Sequence, residues 1–149
     1  ACDTALFSLN TNHGIRPQRG EYAYLVHPGI STVSTVAKYA ADLPIKILAN
    51  TEKIQAARHE KLGITEIIFY QPGELRLENG DILATDTPCA LLWKEKEEKI
   101  HAANPRCESK NPGKITITLT QSGQTKQISF EMPQKEEAGK SCTAPLYRN

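Results

Sequence analysis

A chain of 149 residues is the size of one domain, or of two small ones sharing an interface. With 39% hydrophobic and 23% charged residues it is neither disordered by composition nor membrane-spanning, and its apolar runs fall far short of the ~18 residues that cross a bilayer. Eighteen Lys and Arg against seventeen Asp and Glu give a net charge of +1, which argues against a nucleic-acid partner.

In chain order, Thr4–Leu9 is a short apolar run, followed by a polar, turn-like stretch from Asn10 to Gly20. Glu21–Gly29 then alternates, with Tyr22, Tyr24 and Val26 on one side and Ala23, Leu25 and His27 on the other; period two predicts a strand ended by Pro28-Gly29. From Ser31 to Ala41 the period changes: Val33, Val36, Ala37 and Ala40 share a helical face, Ser31 or Thr32 can cap it, and Pro44 stops it. Ile45–Leu48 is a strand candidate. Asn50–Gly63 is ambiguous. Local rules favour a helix, with Asn50 or Thr51 as cap and Gly63 as stop, yet alternation of Ile54, Ala56 and Arg58 also permits a strand.

From Thr65 onward the pattern is β. Glu74–Thr85 reads as a hairpin with Asn79-Gly80 supplying the two positive-φ positions of a type I′ turn. Cys89–Glu95 and Lys99–Ala103 flank a charged turn, Lys94–Lys99, expected to be solvated. Lys114–Thr120 and Lys126–Met132 flank Gln121–Gln124, and Ala144–Tyr147 can add a last edge contact. Short strands with turn signals every eight to twelve residues indicate a sandwich.

The familiar catalytic signatures are missing: no nucleophile elbow, phosphate-cradling loop, zinc-protease helix or dinucleotide fingerprint. The four histidines have no i, i+3 or i+4 spacing, and the four cysteines (Cys2, Cys89, Cys107, Cys142) contain no Cys-x-x-Cys, so no metal site is expected. Those cysteines fit buried thiols in a reducing compartment or two bridges in an oxidising one. Arg58-His59-Glu60-Lys61 is the densest charged cluster with an imidazole, and its Arg58 and His59 suit an anionic sugar or a domain neighbour, or a plain solvated strand or helix face. Arg16 and Arg19 flank Pro17 and offer planar forks to a sulfate or carboxylate, or form a bland loop. Trp93, set among Ala and Leu, favours the core, and core burial is the commoner outcome for Tyr22 and Tyr24.

Two blocks of residues resemble a known family. Asn12-His13-Gly14, Pro17, Tyr22-Ala23-Tyr24 and Pro28-Gly29 are similar to the segment closing the large β domain of polysaccharide lyase family 8, the hyaluronate, chondroitin and xanthan lyases. Asn50-Thr51, Gln55-Ala56, Arg58-His59, Leu62-Gly63 and Phe69-Tyr70 are similar to the opening of its C-terminal β domain. The resemblance covers about residues 6 to 95. It implies an all-β chain: residues 1–42 as the closing strands of a larger β-supersandwich plus one helix, and 43–149 as an antiparallel β-sandwich. It also implies that Glu52–Glu60 is extended, against local propensity.

These lyases cleave by β-elimination at a uronic acid, with chemistry that lies mainly in an N-terminal helical toroid. The chain is too short to hold a toroid, and none of its His, Tyr or Arg residues matches a catalytic motif of the family. The resemblance therefore implies an accessory C-terminal region with no cofactor, partnered by the remainder of the lyase and acting on acidic polysaccharide outside the cell or in the periplasm. A free-standing module binding acidic carbohydrate is the alternative. If Glu97-Glu98 form a two-residue turn, Cys89 falls opposite Arg106, one residue from Cys107, and an exported chain would permit a Cys89–Cys107 bridge.

Overall fold

The structure is a computed structural model that describes residues 10–18, 20–30, 32–106 and 113–146. Its elements run in chain order as α1 (Val33–Ala41), β1 (Ile45–Asn50), β2 (Ile54–His59), β3 (Ile64–Phe69), β4 (Gly73–Arg76), β5 (Ile82–Thr85), β6 (Cys89–Lys94), β7 (Lys99–Ala103), β8 (Lys114–Gln121), β9 (Gln124–Glu131) and β10 (Cys142–Pro145). Among the described residues the strands form a six-stranded sheet in the order β1-β2-β3-β6-β7-β10 and a four-stranded sheet in the order β4-β5-β8-β9, with every pairing antiparallel.

Alternation decides which residues join the two sheets. Thr65, Ile67 and Phe69 of β3 and Cys89, Leu91 and Trp93 of β6 point inward, while Ile64, Glu66 and Ile68 point out. They meet Leu83 of β5, Ile115, Ile117 and Leu119 of β8, and Ile128 and Phe130 of β9 in one apolar cluster. Two pleated faces that each bury alternate side chains can only pack against one another, so the sandwich follows from the period. The edge contact expected at the C-terminal end is present: β10 pairs with β7, and Leu146 is buried just beyond it.

The ambiguous segment is a strand. All six residues of β2 pair with β3, and five of them also pair with β1. The helix signals serve other ends. Thr51 Oγ1 accepts from Lys53 N–H (3.2 Å) and Ile54 N–H (3.0 Å), which caps a turn rather than a helix. Gly63 (φ +67°) donates to His59 O at 2.9 Å and so closes the single turn leading into β3.

Three local expectations need correction. The Asn79-Gly80 hairpin is real, but only Gly80 has positive φ (+89°). Leu77 N–H donates to Asp81 O (2.8 Å) and Gly80 N–H to Leu77 O (3.0 Å), the three-residue loop of a turn followed by one left-handed residue. The two adjacent positive-φ residues occur instead at Ser122 (+48°) and Gly123 (+79°), inside the Gln121↔Gln124 pair. Secondly, the β6–β7 connection is longer than two residues. A 3₁₀ turn at Glu95–Glu97 and left-handed Glu98 pair Lys94 with Lys99, so Cys89 stands one step beyond Ala90↔Ala103, level with Asn104. Cys89 is a buried free thiol 3.5 Å from Thr85 Oγ1, and Cys107 lies outside the described residues.

The third correction concerns residues 21–27. They join no sheet among the described residues, and their expected companion, residues 4–9, lies outside them. Tyr22 and Tyr24 are 60% and 68% exposed, with rings stacked 6.3 Å apart, rather than buried. Period two marks a segment suited to a pleated sheet, but a strand exists only with a partner. The helix forms as expected, capped by Thr32 accepting from Thr35 N–H at 3.3 Å, yet it buries no residue. Edge-to-face contact between His27 and Tyr39 (4.6 Å) ties it to the preceding segment.

Candidate functional site

Polar side chains converge at one end of the sandwich. Cross-strand pairing lines up Arg58, Thr65, Trp93 and Ile100 on the inner face of the larger sheet. An arginine on an apolar face needs a matching charge. Glu95, first residue of the 3₁₀ turn, supplies it: both Arg58 amino nitrogens donate to its carboxylate, Nη2 at 2.8 Å, and Nη1 also donates to Thr65 Oγ1 at 3.3 Å. The hydrogen bonding to Glu95 and the charge of that carboxylate hold the guanidinium above its ordinary pKa, against the opposing effect of burial.

The expectation of a solvated charged turn is thus corrected at its first acid, because Glu95 is held inward by Arg58. Beside this pair lies a cleft of ≈150 Å³ lined by Asn79, Asp81, Trp93, Glu95, Gln121 and Leu146. Asp81 is 8% exposed, and its Oδ2 accepts from Asn79 Nδ2 (3.0 Å) and Gln121 Nε2 (2.9 Å). Trp93 is 2% exposed, as expected for the core, and its Nε1 is enclosed without an acceptor. On the outer face of the same sheet, His101 Nδ1 lies 2.7 Å from Thr143 Oγ1, and its Nε2 is likewise enclosed without a partner.

The residues singled out from sequence are not gathered into one site. Arg58 faces inward; His59, the next residue of β2, faces outward, where its Nδ1 accepts from Leu62 N–H at 3.3 Å. Arg16 sits in an exposed loop with positive φ (+54°), and Arg19 lies outside the described residues. Among the described residues no three His, Cys, Asp or Glu side chains gather where they could hold a metal ion. Sequence reasoning missed Asp81, Gln121 and Glu95, which lie far apart in the chain: pairing of β5 with β8 sets Asp81 beside Gln121, and both line one cleft with Glu95.

Residues 46–112 match the family model for the polysaccharide lyase family 8, C-terminal beta-sandwich domain. The chain carries that domain. Chondroitinase-AC of Pedobacter heparinus is 39% identical over 136 residues, 90% of the chain and 19% of the relative. A hyaluronate lyase of Thermasporomyces composti is 28% identical over 82% of the chain and 14% of its own length. A solved chondroitinase AC lyase, studied as enzyme–oligosaccharide complexes, superposes with a TM-score of 0.68 at 32% identity, covering 78% of the chain and 17% of the enzyme. The family 8 chain therefore spans less than a fifth of the curated relatives it matches, and no helix among its described residues is long and apolar enough to cross a membrane.

Proposed function

We propose that the chain is the C-terminal accessory β region of a larger, exported glycosaminoglycan-type lyase, extracellular or periplasmic, which cleaves chondroitin or hyaluronan by β-elimination. In this reading the sandwich supports the substrate cleft and the chemistry belongs to the remainder of the lyase. The observation that carries it is the 39% identity to chondroitinase-AC spread over 90% of the chain but only 19% of that enzyme.

A domain division at residues 42/43 is supported by two further features. The family model begins at residue 46, and the segment before it exposes apolar side chains on both faces, including Tyr22, Leu25, Val26 and Val33. Such a segment is suited to pairing with strands of the preceding β domain, whose sheet it would close. Arg16, which is exposed, and His59, which is half-buried, are proposed contacts for acidic polysaccharide, together with Arg19 from the same stretch of sequence as Arg16. Arg58 is the weakest of that set, because an anion would have to displace Glu95.

The test is elimination by the isolated chain on chondroitin, hyaluronan and xanthan, followed by the near-ultraviolet absorbance of the unsaturated product. No turnover is expected, because β-elimination needs a base, a carboxylate neutraliser and a leaving-group acid acting together. Turnover above buffer on any of the three would overturn the accessory role.

A further inference from the structure

Asn79-Gly80 is the one place in the chain where an asparagine precedes a glycine, and the hairpin sets both residues at an exposed tip. Such a pair carries its own chemistry. The Gly80 nitrogen, after losing its proton to water, bonds to Asn79 Cγ; the Cγ–Nδ2 bond breaks, and the amide nitrogen takes a proton from water and leaves as ammonia. One further water opens the resulting cyclic imide at either carbonyl, which gives an aspartate or its β-linked isomer. Glycine suits the attacking position because it has no Cβ, and no atom stands within 4 Å of where one would project.

The closed hairpin uses the two N–H groups that this reaction consumes. Gly80 N–H donates to Leu77 O at 3.0 Å, and Asn79 Nδ2 donates to Asp81 Oδ2 at 3.0 Å. The imide has neither donor, since its ring nitrogen carries no hydrogen and Nδ2 is gone. Ring closure in the folded loop therefore gives up both bonds, whereas in an opened hairpin water already serves both groups. Asp81 makes the loss matter. It is 8% exposed, and Gln121 Nε2 (2.9 Å) is the other side chain donating to its Oδ2. Its own N–H donates to Asn79 Oδ1 at 3.1 Å, which holds the Asn79 side chain against it. An acid formed at position 79 only accepts, so Asp81 loses a donor and faces a like charge.

We propose that Asn79 is a self-modification site gated by Asp81. The amide persists while the hairpin is closed and converts to aspartate or isoaspartate when it opens; the acid so formed weakens the closed hairpin. The change runs one way, because water restores no amide. It needs no other reagent, and it stands whether or not the chain supports a lyase cleft.

The full chain is incubated in mildly alkaline buffer, native and unfolded in urea, and the peptide containing Asn79 is followed by mass spectrometry for replacement of the amide by an acid. Conversion is expected in the unfolded chain, and at least about tenfold more slowly in the native one, the weight of two hydrogen bonds given up together. Asp81→Ala, checked as folded by near-ultraviolet dichroism, is expected to convert about fivefold faster than the native chain, the worth of one hydrogen bond. Asp81→Asn keeps an oxygen acceptor for Nδ2 and is expected to convert at the native rate. Asn79→Asp copies the product and is expected to lower the urea midpoint; adding Asp81→Asn, which removes the like charge, is expected to restore it. That pair of variants tests the contact even where Asp81→Ala does not fold. Equal rates in native and unfolded chains, or a folded Asp81→Ala that keeps the native rate, overturn the gate. No conversion at Asn79 in the unfolded chain overturns the site. An Asn79→Asp chain as stable as the native one overturns the effect on the hairpin.

Discussion

Arg58 in β2 and Glu95 in the turn after β6 form a two-armed ion pair across 37 residues of chain, with both side chains about a quarter to a third exposed. Strand β3 separates their elements in the sheet order, so the pair spans it and ties the second strand to the β6–β7 connection. Removing either partner leaves a partly buried charge unmatched. Glu95→Ala or Arg58→Ala is expected to cost about 1–3 kcal/mol in urea unfolding. The double variant should cost less than the sum of the singles; strict additivity would show that the pair contributes nothing as a pair.

Leu83 and Ile68 test which face is the core. Leu83 is fully buried between the sheets, whereas Ile68 is 39% exposed on the outer face. Leu83→Ala should cost about 2–5 kcal/mol through the cavity it leaves. Ile68→Ala should cost far less. Similar losses at both positions would mean that the outer face is buried in solution too.

Cys89 is expected to be a slow nucleophile. Burial pushes its thiol up to about 11, opposed by the hydrogen bond to Thr85 and assisted by the charge of Asp86. Alkylation of the native chain at pH about 8 should label Cys142 well before Cys89, and denaturation without reductant should expose Cys89 to full labelling. Because the folded value is raised, the stability linked to this thiol is present below the unfolded pKa, about 8.5, and is lost as pH rises through 11. A Cys89 that stays unlabelled in the denatured chain would reveal a bridge.

Asp86 links pH to the four-stranded sheet. Burial alone would raise its pKa, but donation from Thr116 N–H (3.0 Å) and Thr87 Oγ1 (3.0 Å) to Oδ1 outweighs that and holds the carboxyl below its ordinary value. A depressed folded value gives stability that is complete above the unfolded pKa, about 3.9, and lost as pH falls through the lower folded value. Asp86→Asn should therefore flatten the acid limb of a stability–pH curve. An unchanged limb would place the acid sensitivity elsewhere.

The strands from Thr65 onward were legible in the sequence because each alternates on its own and is bounded by its own turn residues. Lys114–Gln121 and Gln124–Glu131 needed no knowledge of their neighbours to be recognised. The helix was legible for the same reason, its cap and its Pro44 stop being local. At Ile54–His59 the local signals and the family resemblance point in opposite directions. The two flanking ladders make the segment a strand, since a few tenths of a kcal/mol per residue of propensity cannot outweigh them.

What the sequence determined by itself was therefore the periodic content: β throughout, one helix, and the alternation that makes two sheets pack. Only the tertiary structure decided the turn geometry at Glu78–Gly80, the register that sets Cys89 level with Asn104, the gathering of Trp93 and Asp81 around one cleft, and the meeting of Arg58 with Glu95. The reason is physical. Periodicity is a property of neighbours along the chain, whereas a loop one or two residues longer shifts every cross-strand partner beyond it, and a cleft between sheets is built from residues that no sequence spacing connects.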